Sequence, residues 1–319
     1  MDMRALKYLL SLAERGSFTS AAKEHFVTQP AVSIALRKLE EELGQRLYRM
    51  EGRRVVFTQA GEIALEYAKA LSNLEAELFQ RMGDLGAVRR GSLSLGTIDA
   101  ASIYVLPEVF SLFRERFPGI EVNLEISSTM MLVEKMDAGQ LDLVIGTIPV
   151  EGGKRYEVFP IYSEPLLVVV SPGHRLASGP TVSAAELEGE PFISFHEGSI
   201  TRRIVERALS ERGVTPTIAM AIDSPEAIKR LVSSGLGLAV LPRRVVEDEL
   251  IEGSLAAVEV KGLDIERNLG LVLRSEHYLS APAKAFLRVM EEVMAVGLPA
   301  RLLEAEKGSR ETERRAGNR

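Results

Sequence analysis

The chain has 319 residues, 46% hydrophobic and 26% charged, which is the composition of a globular protein with more than one core. No apolar run reaches the roughly 20 residues of a spanning helix. The opening Met1-Asp2-Met3-Arg4 lacks a signal-peptide core, and the absence of cysteine excludes disulfides, thiolate zinc sites and thiol catalysis, so a cytoplasmic protein is expected. The net charge of −6 is uneven: residues 1–58 hold ten Lys/Arg against seven Asp/Glu, and the remainder is acidic, the pattern of a nucleic-acid-binding head on a larger acidic body.

Leu6, Leu9, Leu10 and Ala13 predict an amphipathic helix from Met3 to Arg15, ended by Gly16. Thr19 or Ser20 can cap a second helix, roughly Ser20 to His25, whose Ala21-Ala22 pair allows close helix approach. A third helix is predicted from Gln29 to Leu43, with Thr28 as cap, Pro30 in the first turn and Gly44 as stop. Val32, Leu36, Leu39 and Leu43 make its buried stripe, which leaves Pro30, Ala31, Ile34, Arg37 and Lys38 outward with Ser33 at the margin. Such a face of small, polar and basic groups suits a helix in a major groove. Leu47–Met50 and Arg53–Thr58 read as strands around Glu51-Gly52, a hairpin carrying Arg53 and Arg54 toward phosphates or the minor groove. Each feature alone also fits a structural three-helix bundle with a solvated basic face; their order within 58 residues favours a winged helix-turn-helix.

The stretches Gly16-Ser17-Phe18-Thr19-Ser20-Ala21-Ala22, Gln29-Pro30-Ala31-Val32-Ser33, Leu39-Glu40-Glu41-Glu42-Leu43-Gly44, Leu47-Tyr48-Arg49 and Phe57-Thr58-Gln59-Ala60-Gly61 resemble the LysR-type transcriptional regulators, and the likeness runs more loosely to about residue 297. Candidate DNA contacts are Ser17, Thr19, Ser20, Thr28, Gln29, Pro30, Ala31, Ser33, Ile34, Arg37, Lys38, Arg53 and Arg54. Ile34 stands where family members often carry a basic or polar side chain, which suggests apolar contact such as with a thymine methyl.

Thr58 can cap a long helix to about Leu85, striped by Tyr67, Leu71, Leu74, Leu78, Met82 and Leu85, a face that needs a partner. A twin subunit is the simplest partner; the chain's own body is the other. The resemblance implies dimerisation through this helix and a homodimer or homotetramer. Residues 59–90 read as linker, with Gly86–Gly91, including Arg89 and Arg90, as a flexible hinge.

From Ser92 onward strands and helices alternate. Ser92–Thr97, Ile120–Ile126 and Leu141–Ile145 read as strands around helices Leu106–Phe117 and Met130–Ala138, an order implying a parallel sheet. A second set follows: strands Leu166–Ser171, Phe192–Phe195, Thr217–Ile222 and Leu238–Leu241, with helices Thr201–Ser210 and Pro225–Ser233. The chain then returns through Leu269–Leu273 and a helix Ala283–Val296. The fold class is α/β. After the winged helix-turn-helix (1–58) and linker, a two-lobed domain resembling periplasmic binding proteins is expected over 91–298, with lobe I at 91–163 and 266–298, lobe II at 164–265, and a charged, disordered tail at 299–319.

Ligands in open α/β sheets sit at the carboxyl ends of strands. That rule selects Thr97, Ile98, Asp99, Ala100, Ala101 and Ser102; Ser128 and Thr129, after Ser127; Thr147; and Phe195, His196, Gly198, Ser199, Thr201 and Arg202. Hydroxyls, free amides and Arg202 suit a small anion, though each Ser or Thr alone could be an ordinary cap and His196 a solvated side chain. Asp223-Ser224-Pro225 can line the cleft or cap its helix; capping is the plainer reading, with Asp223 kept as a candidate. His25, His174, His196 and His277 show no metal-ligand spacing, and no P-loop, dinucleotide fingerprint or nucleophile elbow occurs, so neither cofactor nor catalysis is expected. The expected partners are a double-stranded operator, a small-molecule effector, further copies of the chain and RNA polymerase. The competing reading is a cytoplasmic solute-binding protein or enzyme with an incidental helical head.

Overall fold

A computed structural model describes residues 2–52, 54–83, 91–179, 181–275 and 278–303. Arg53, Leu85, Arg89, Arg90, His277 and residues 304–319 lie outside the described residues, as does the side chain of Met82. The chain forms two compact units, Met1–Leu85 and Gly86–Arg319.

In the first unit, α1 (Met3–Arg15) starts where Asp2 accepts a bond from the Arg4 amide and ends at Gly16 in a left-handed conformation. Ala5, Leu6, Leu9 and Leu12 are its buried apolar residues, with Leu10 at the edge and Ala13 exposed, so its inner face lies one step round from the expected one. α2 (Phe18–Glu24) begins two residues before the expected start. Ser17, not Thr19 or Ser20, takes the extended capping conformation, and its Oγ accepts from the Ser20 amide, satisfying one of the donors that a helix start leaves open.

α3 (Gln29–Leu43) follows Thr28, which holds the cap conformation without a side-chain cap bond. Val32, Leu36 and Leu39 are buried, but Leu43 is 44% exposed and Glu40 takes the fourth inner place. The reason is a polar tie: Glu40 accepts from the Leu47 amide at 2.8 Å and from Arg46 at 3.1 Å, locking the chain that leaves Gly44. β1 (Tyr48–Glu51) and β2 (Arg54–Phe57) pair antiparallel, with Tyr48 opposite Phe57.

α4 (Gln59–Gly83) is capped by Thr58, whose Oγ1 accepts from the Gly61 amide and donates to the Arg46 carbonyl. Ala64 and Ala68 pack into the head's core, and Lys7 pairs with Glu75 at 2.7 Å. The first turn of α4 crosses the chain so closely that a Cβ on Gly61 would lie 1.9 Å from the Leu47 carbonyl oxygen. Gly61→Ala is therefore expected to cost about 3 kcal/mol, since a backbone neighbour cannot yield as a side chain can. Urea unfolding checks this; a wild-type midpoint would mean that α4 shifts freely.

The second unit opens with β3 (Gly91–Thr97), α5 (Asp99–Tyr104), α6 (Pro107–Arg116), β4 (Ile120–Ile126), α7 (Thr129–Asp137) and β5 (Leu143–Ile148). β3 lies between β4 and β5, parallel to both. Leu143 and Ile145 face the α6-side core, while Val144 packs with Leu132 and Met136 of α7, so helices cover both faces. α5 occupies a stretch expected to be loop; a single residue, Ile98, separates its six residues from the strand.

β6 (Tyr156–Val170) and β11 (Ile265–Arg274) differ from expectation. They are long, run antiparallel to each other, and make the sheet mixed rather than parallel: with β9 (Ala239–Pro242) and β10 (Ala256–Val258), the order is β10-β6-β11-β5-β3-β4 and β9 also pairs with β6. The predicted strand Leu166–Ser171 covers only the last third of β6. The first ten residues of β6 include Pro160, Ser163, Glu164 and Pro165, residues that read as loop in isolation. A register slip between Leu269 and Gly270 divides the β6–β11 pairing. On one side lies the core of β3, β5, α6 and α11 (Ala281–Met294). On the other, β6 carries β9 and β10. There β7 (Pro191–Ser194), α8 (Ile200–Ser210), β8 (Thr217–Ala221), α9 (Pro225–Ser233) and α10 (Arg243–Glu252) complete two further clusters. α11 returns to the first core, and α12 (Ala300–Leu303) buries Leu302 there. Residues 299–303 are thus part of the fold, not of the expected tail. No helix among the described residues is long and apolar enough to cross a membrane.

Candidate functional site

In the head, Thr28, Gln29, Pro30 and Ala31, the start of α3, are all exposed, as are Arg37 and Lys38; Ile34 is 64% exposed and Ser33 half-buried. These residues form one outward face because the opposite stripe is consumed by the core. Arg37 pairs with Glu41 one turn on at 3.1 Å, a surface contact that a phosphate can displace. Thr19 is exposed, Ser17 and Ser20 are tied into the α2 cap, and Arg54 stands exposed on β2.

The second unit holds a cavity of about 330 Å³ lined by Ile98, Asp99, Ala100, Ser128, Thr129, Thr147, Phe195, Ser199, Thr201 and Asp223. The carboxyl ends of β3, β4 and β5 open onto it from one side and those of β7 and β8 from the other, so the starts of α7, α8 and α9 converge there. Ser128 and Ser199 cap α7 and α8 through the amides of Met131 and Arg202; the remaining first-turn amides of each helix have no partner within it. The Thr147 amide donates to Thr129 Oγ1 at 3.0 Å, and the hydroxyls of Thr147 and Thr201 lie 3.5 Å apart across the cavity floor.

Sequence reasoning missed Arg267. It lines the cavity, is 2% exposed, and stands directly opposite Glu164 in the β6–β11 register. Its Nε donates to Glu164 Oε1 at 3.0 Å, its Nη2 also binds that oxygen, and its Nη1 reaches Thr201 Oγ1 at 3.4 Å. The available signal was a charged pair set among apolar positions of two strands, legible only when the strands are seen to pair. Ile126, Ser127, Ile200, Ser224 and Pro225 also line the cavity, so Asp223-Ser224-Pro225 does more than cap α9.

Six candidates lie outside the lining. Thr97 is buried with its hydroxyl on the Ile145 carbonyl, Ala101 is fully buried, and Ser102 donates to the Asp99 carbonyl. All three follow from the chain turning straight into α5. His196 and Gly198 are exposed beyond the rim. Arg202 folds back along α8 onto Glu206 at 2.6 Å and the Phe195 carbonyl at 3.2 Å, because the i,i+4 carboxylate is nearer than the cavity.

Burial, and then the nearby Glu226, hold the Asp99 carboxyl above the ordinary carboxylate value, against a hydrogen bond from Ser224. Next to it, α5 meets α9 and α10 through Tyr104, Glu226, Lys229 and Glu249: Tyr104 donates to Glu226, and Lys229 binds Tyr104, Glu226 and Glu249 at 3.1, 3.0 and 2.7 Å. Burial and the bond to Glu226 push Tyr104 up to about 12.

Residues 3–62 match the family described as bacterial regulatory helix-turn-helix protein, lysR family, and residues 86–295 match the LysR substrate binding domain. The chain is 35% identical over 286 residues to the RuBisCO operon transcriptional regulator of Allochromatium vinosum, covering 90% of this chain and 94% of that one. It is 32% identical over 278 residues to the HTH-type transcriptional activator CmpR of Synechocystis, covering 87% and 90%. Among solved structures, a full-length OxyR variant from Pseudomonas aeruginosa shares the fold at a TM-score of 0.68 and 22% identity, over 93% and 95% of the two chains. The regulatory domain of Synechocystis CcmR, in complex with 2-PG, matches with a TM-score of 0.60 and 27% identity over 64% of this chain and 98% of that one. A helix-turn-helix head with an exposed third helix, joined to a two-lobed α/β unit and matched over nine-tenths of its length by named regulators, makes this chain a member of the LysR family: a sequence-specific DNA-binding transcriptional regulator with an effector-binding domain.

Proposed function

We propose that two copies pair through α4, set their α3 helices in successive major grooves of a pseudo-palindromic operator, and respond to a small acid held in the cavity of the second unit. Exposed Ile63, Tyr67, Leu74 and Leu78 form a stripe along α4 that a twin helix would cover; a dimer of dimers extends the same pairing. Thr28, Gln29, Pro30, Ala31, Ser33 and Ile34 would meet base edges, and Arg37, Lys38, Arg54 and Arg53 phosphates or the minor groove. The assembly would act in the cytoplasm, with RNA polymerase as its partner at the promoter. The effector would alter how the two lobes strung on β6 and β11 close on each other, and through α4 the spacing of the heads.

The observation that carries the effector reading is the meeting of two capped helix starts with Arg267 around one hydroxyl-rich cavity, an arrangement suited to an anionic group. Binding of 2-PG (2-phosphoglycolate) by the CcmR domain supports the same chemistry in this chain. Titration of the full-length protein with 2-phosphoglycolate, inorganic phosphate and small dicarboxylates, followed by calorimetry and thermal shift, tests it. A saturable rise in Tm for at least one is expected, and silence for all of them at millimolar concentration would sink the reading.

Asp99 gives this site a pH dependence with a defined sign. Its ionised form opposes an anion, and its folded-state value is raised, so anion affinity is expected to rise as pH falls from neutral into the carboxylate range. Asp99→Asn should tighten binding at pH 8 by about tenfold, the effect of removing one like charge at a partly buried site, and flatten the pH profile. Unchanged affinity and an unchanged profile would place Asp99 outside the binding interaction.

A further inference from the structure

The corner between α2 and α3 is closed by two bonds, from the Phe26 amide to the Lys23 carbonyl at 3.2 Å and from the Val27 amide to the Ala22 carbonyl at 3.0 Å. This is the Schellman pattern, which requires a left-handed backbone at the residue after the cap and suits glycine or asparagine there. The chain follows that preference after α1, α3 and α10, where Gly16, Gly44 and Gly253 take φ of 65°, 65° and 74°. Ala295 after α11 also takes it, with only a methyl group to place. At α2 the residue is Phe26, with φ 54°. Its ring is 97% exposed, while its neighbour Val27 packs into the core of the head.

Three preferences are thus overridden at one residue. The backbone conformation disfavours a Cβ, water disfavours an uncovered aromatic ring, and the ring gains no packing inside its own unit. An outlier of this kind points to a role outside the free fold. The next residues, Thr28 to Ala31, are the exposed first turn of the reading helix, so the ring is continuous with the DNA-facing surface.

We propose that Phe26 is a duplex contact: as α3 enters the major groove, the ring lies against deoxyribose and base edges at the groove rim, with thymine methyl groups as its preferred neighbours. Such contact covers the ring only in the complex and reads sequence by shape and methyl position rather than by hydrogen bonds. It goes beyond the polar and basic contacts already assigned to α3, and beside Ile34 it gives the head a second apolar probe.

The test uses the full-length protein and a duplex that the wild type has selected from a random-sequence pool. Phe26→Asn suits the left-handed backbone, and Phe26→Tyr keeps the ring. Phe26→Asn is expected to raise Tm yet weaken binding to the selected duplex about tenfold, while Phe26→Tyr stays within about twofold of wild type. The slope of log affinity against log salt should not change, because an apolar contact releases no counterions. Phe26→Asn binding as tightly as wild type would overturn the proposal. So would a loss of affinity that tracks a loss of oligomer in sedimentation, which would assign the ring to a second copy of the chain.

Discussion

Arg267→Met is expected to destabilise the second unit by about 3–5 kcal/mol, the cost of leaving a buried carboxylate without its cation. Glu164 and Arg267 are 3% and 2% exposed and face each other across the two long strands, so the carboxylate loses its counter-charge at a site where little solvent reaches it. The double variant Glu164→Gln, Arg267→Met should recover most of that stability, since no unpaired charge then remains. Urea unfolding of wild type, both single variants and the double variant measures the coupling. Additive effects within about 0.5 kcal/mol would show that the pair is not a unit. The double variant carries a second readout. It restores stability without restoring a cation to the cavity, so its affinity for an anion should remain below wild type. A pair kept only for packing would leave that affinity unchanged.

The second large effect is expected on the DNA side, where base contacts and phosphate contacts separate by their salt dependence. Gln29 is exposed at the first turn of α3, where a side-chain amide can bond an adenine edge with two hydrogen bonds. Gln29→Ala should cost about 1–3 kcal/mol per half-site and relax preference at one base-pair position, leaving the salt slope intact. Lys38→Ala, farther along the same exposed face, should weaken all duplexes alike and reduce the slope by about one for each phosphate that the variant no longer neutralises. Fluorescence anisotropy at three or more salt concentrations distinguishes the two. If Gln29→Ala weakened selected and unrelated duplexes equally, α3 would not be reading bases through that residue.

The head was legible because its determinants are local. Stripes at helical spacing, glycine stops and the order of helices followed by a hairpin all lie within 58 residues. The misplacements there were small and had nearby causes. The Glu40 tie to Leu47 displaced Leu43 from the core, and Ser17 rather than Thr19 or Ser20 took the cap of α2. In the second unit the alternation of strands and helices pointed to the cavity's place, since ligands gather at the carboxyl ends of strands whatever the side chains are. Ten of its sixteen predicted residues meet at one cavity for that reason.

By itself the sequence determined the class of fold, the third helix of the head with its exposed face and the loops that surround the cavity, because amphipathic period, capping and turn chemistry act over a few residues. The tertiary structure alone decided which side chains those loops present. Pairing of β6 with β11 brought Arg267 opposite Glu164, 103 positions apart in the chain, and placed that cation in the cavity wall. Local bonds along α5 and α8 turned Ser102 and Arg202 away from it. Register between distant strands and competition among nearby partners are settled only when the whole sheet closes, and no local pattern encodes them.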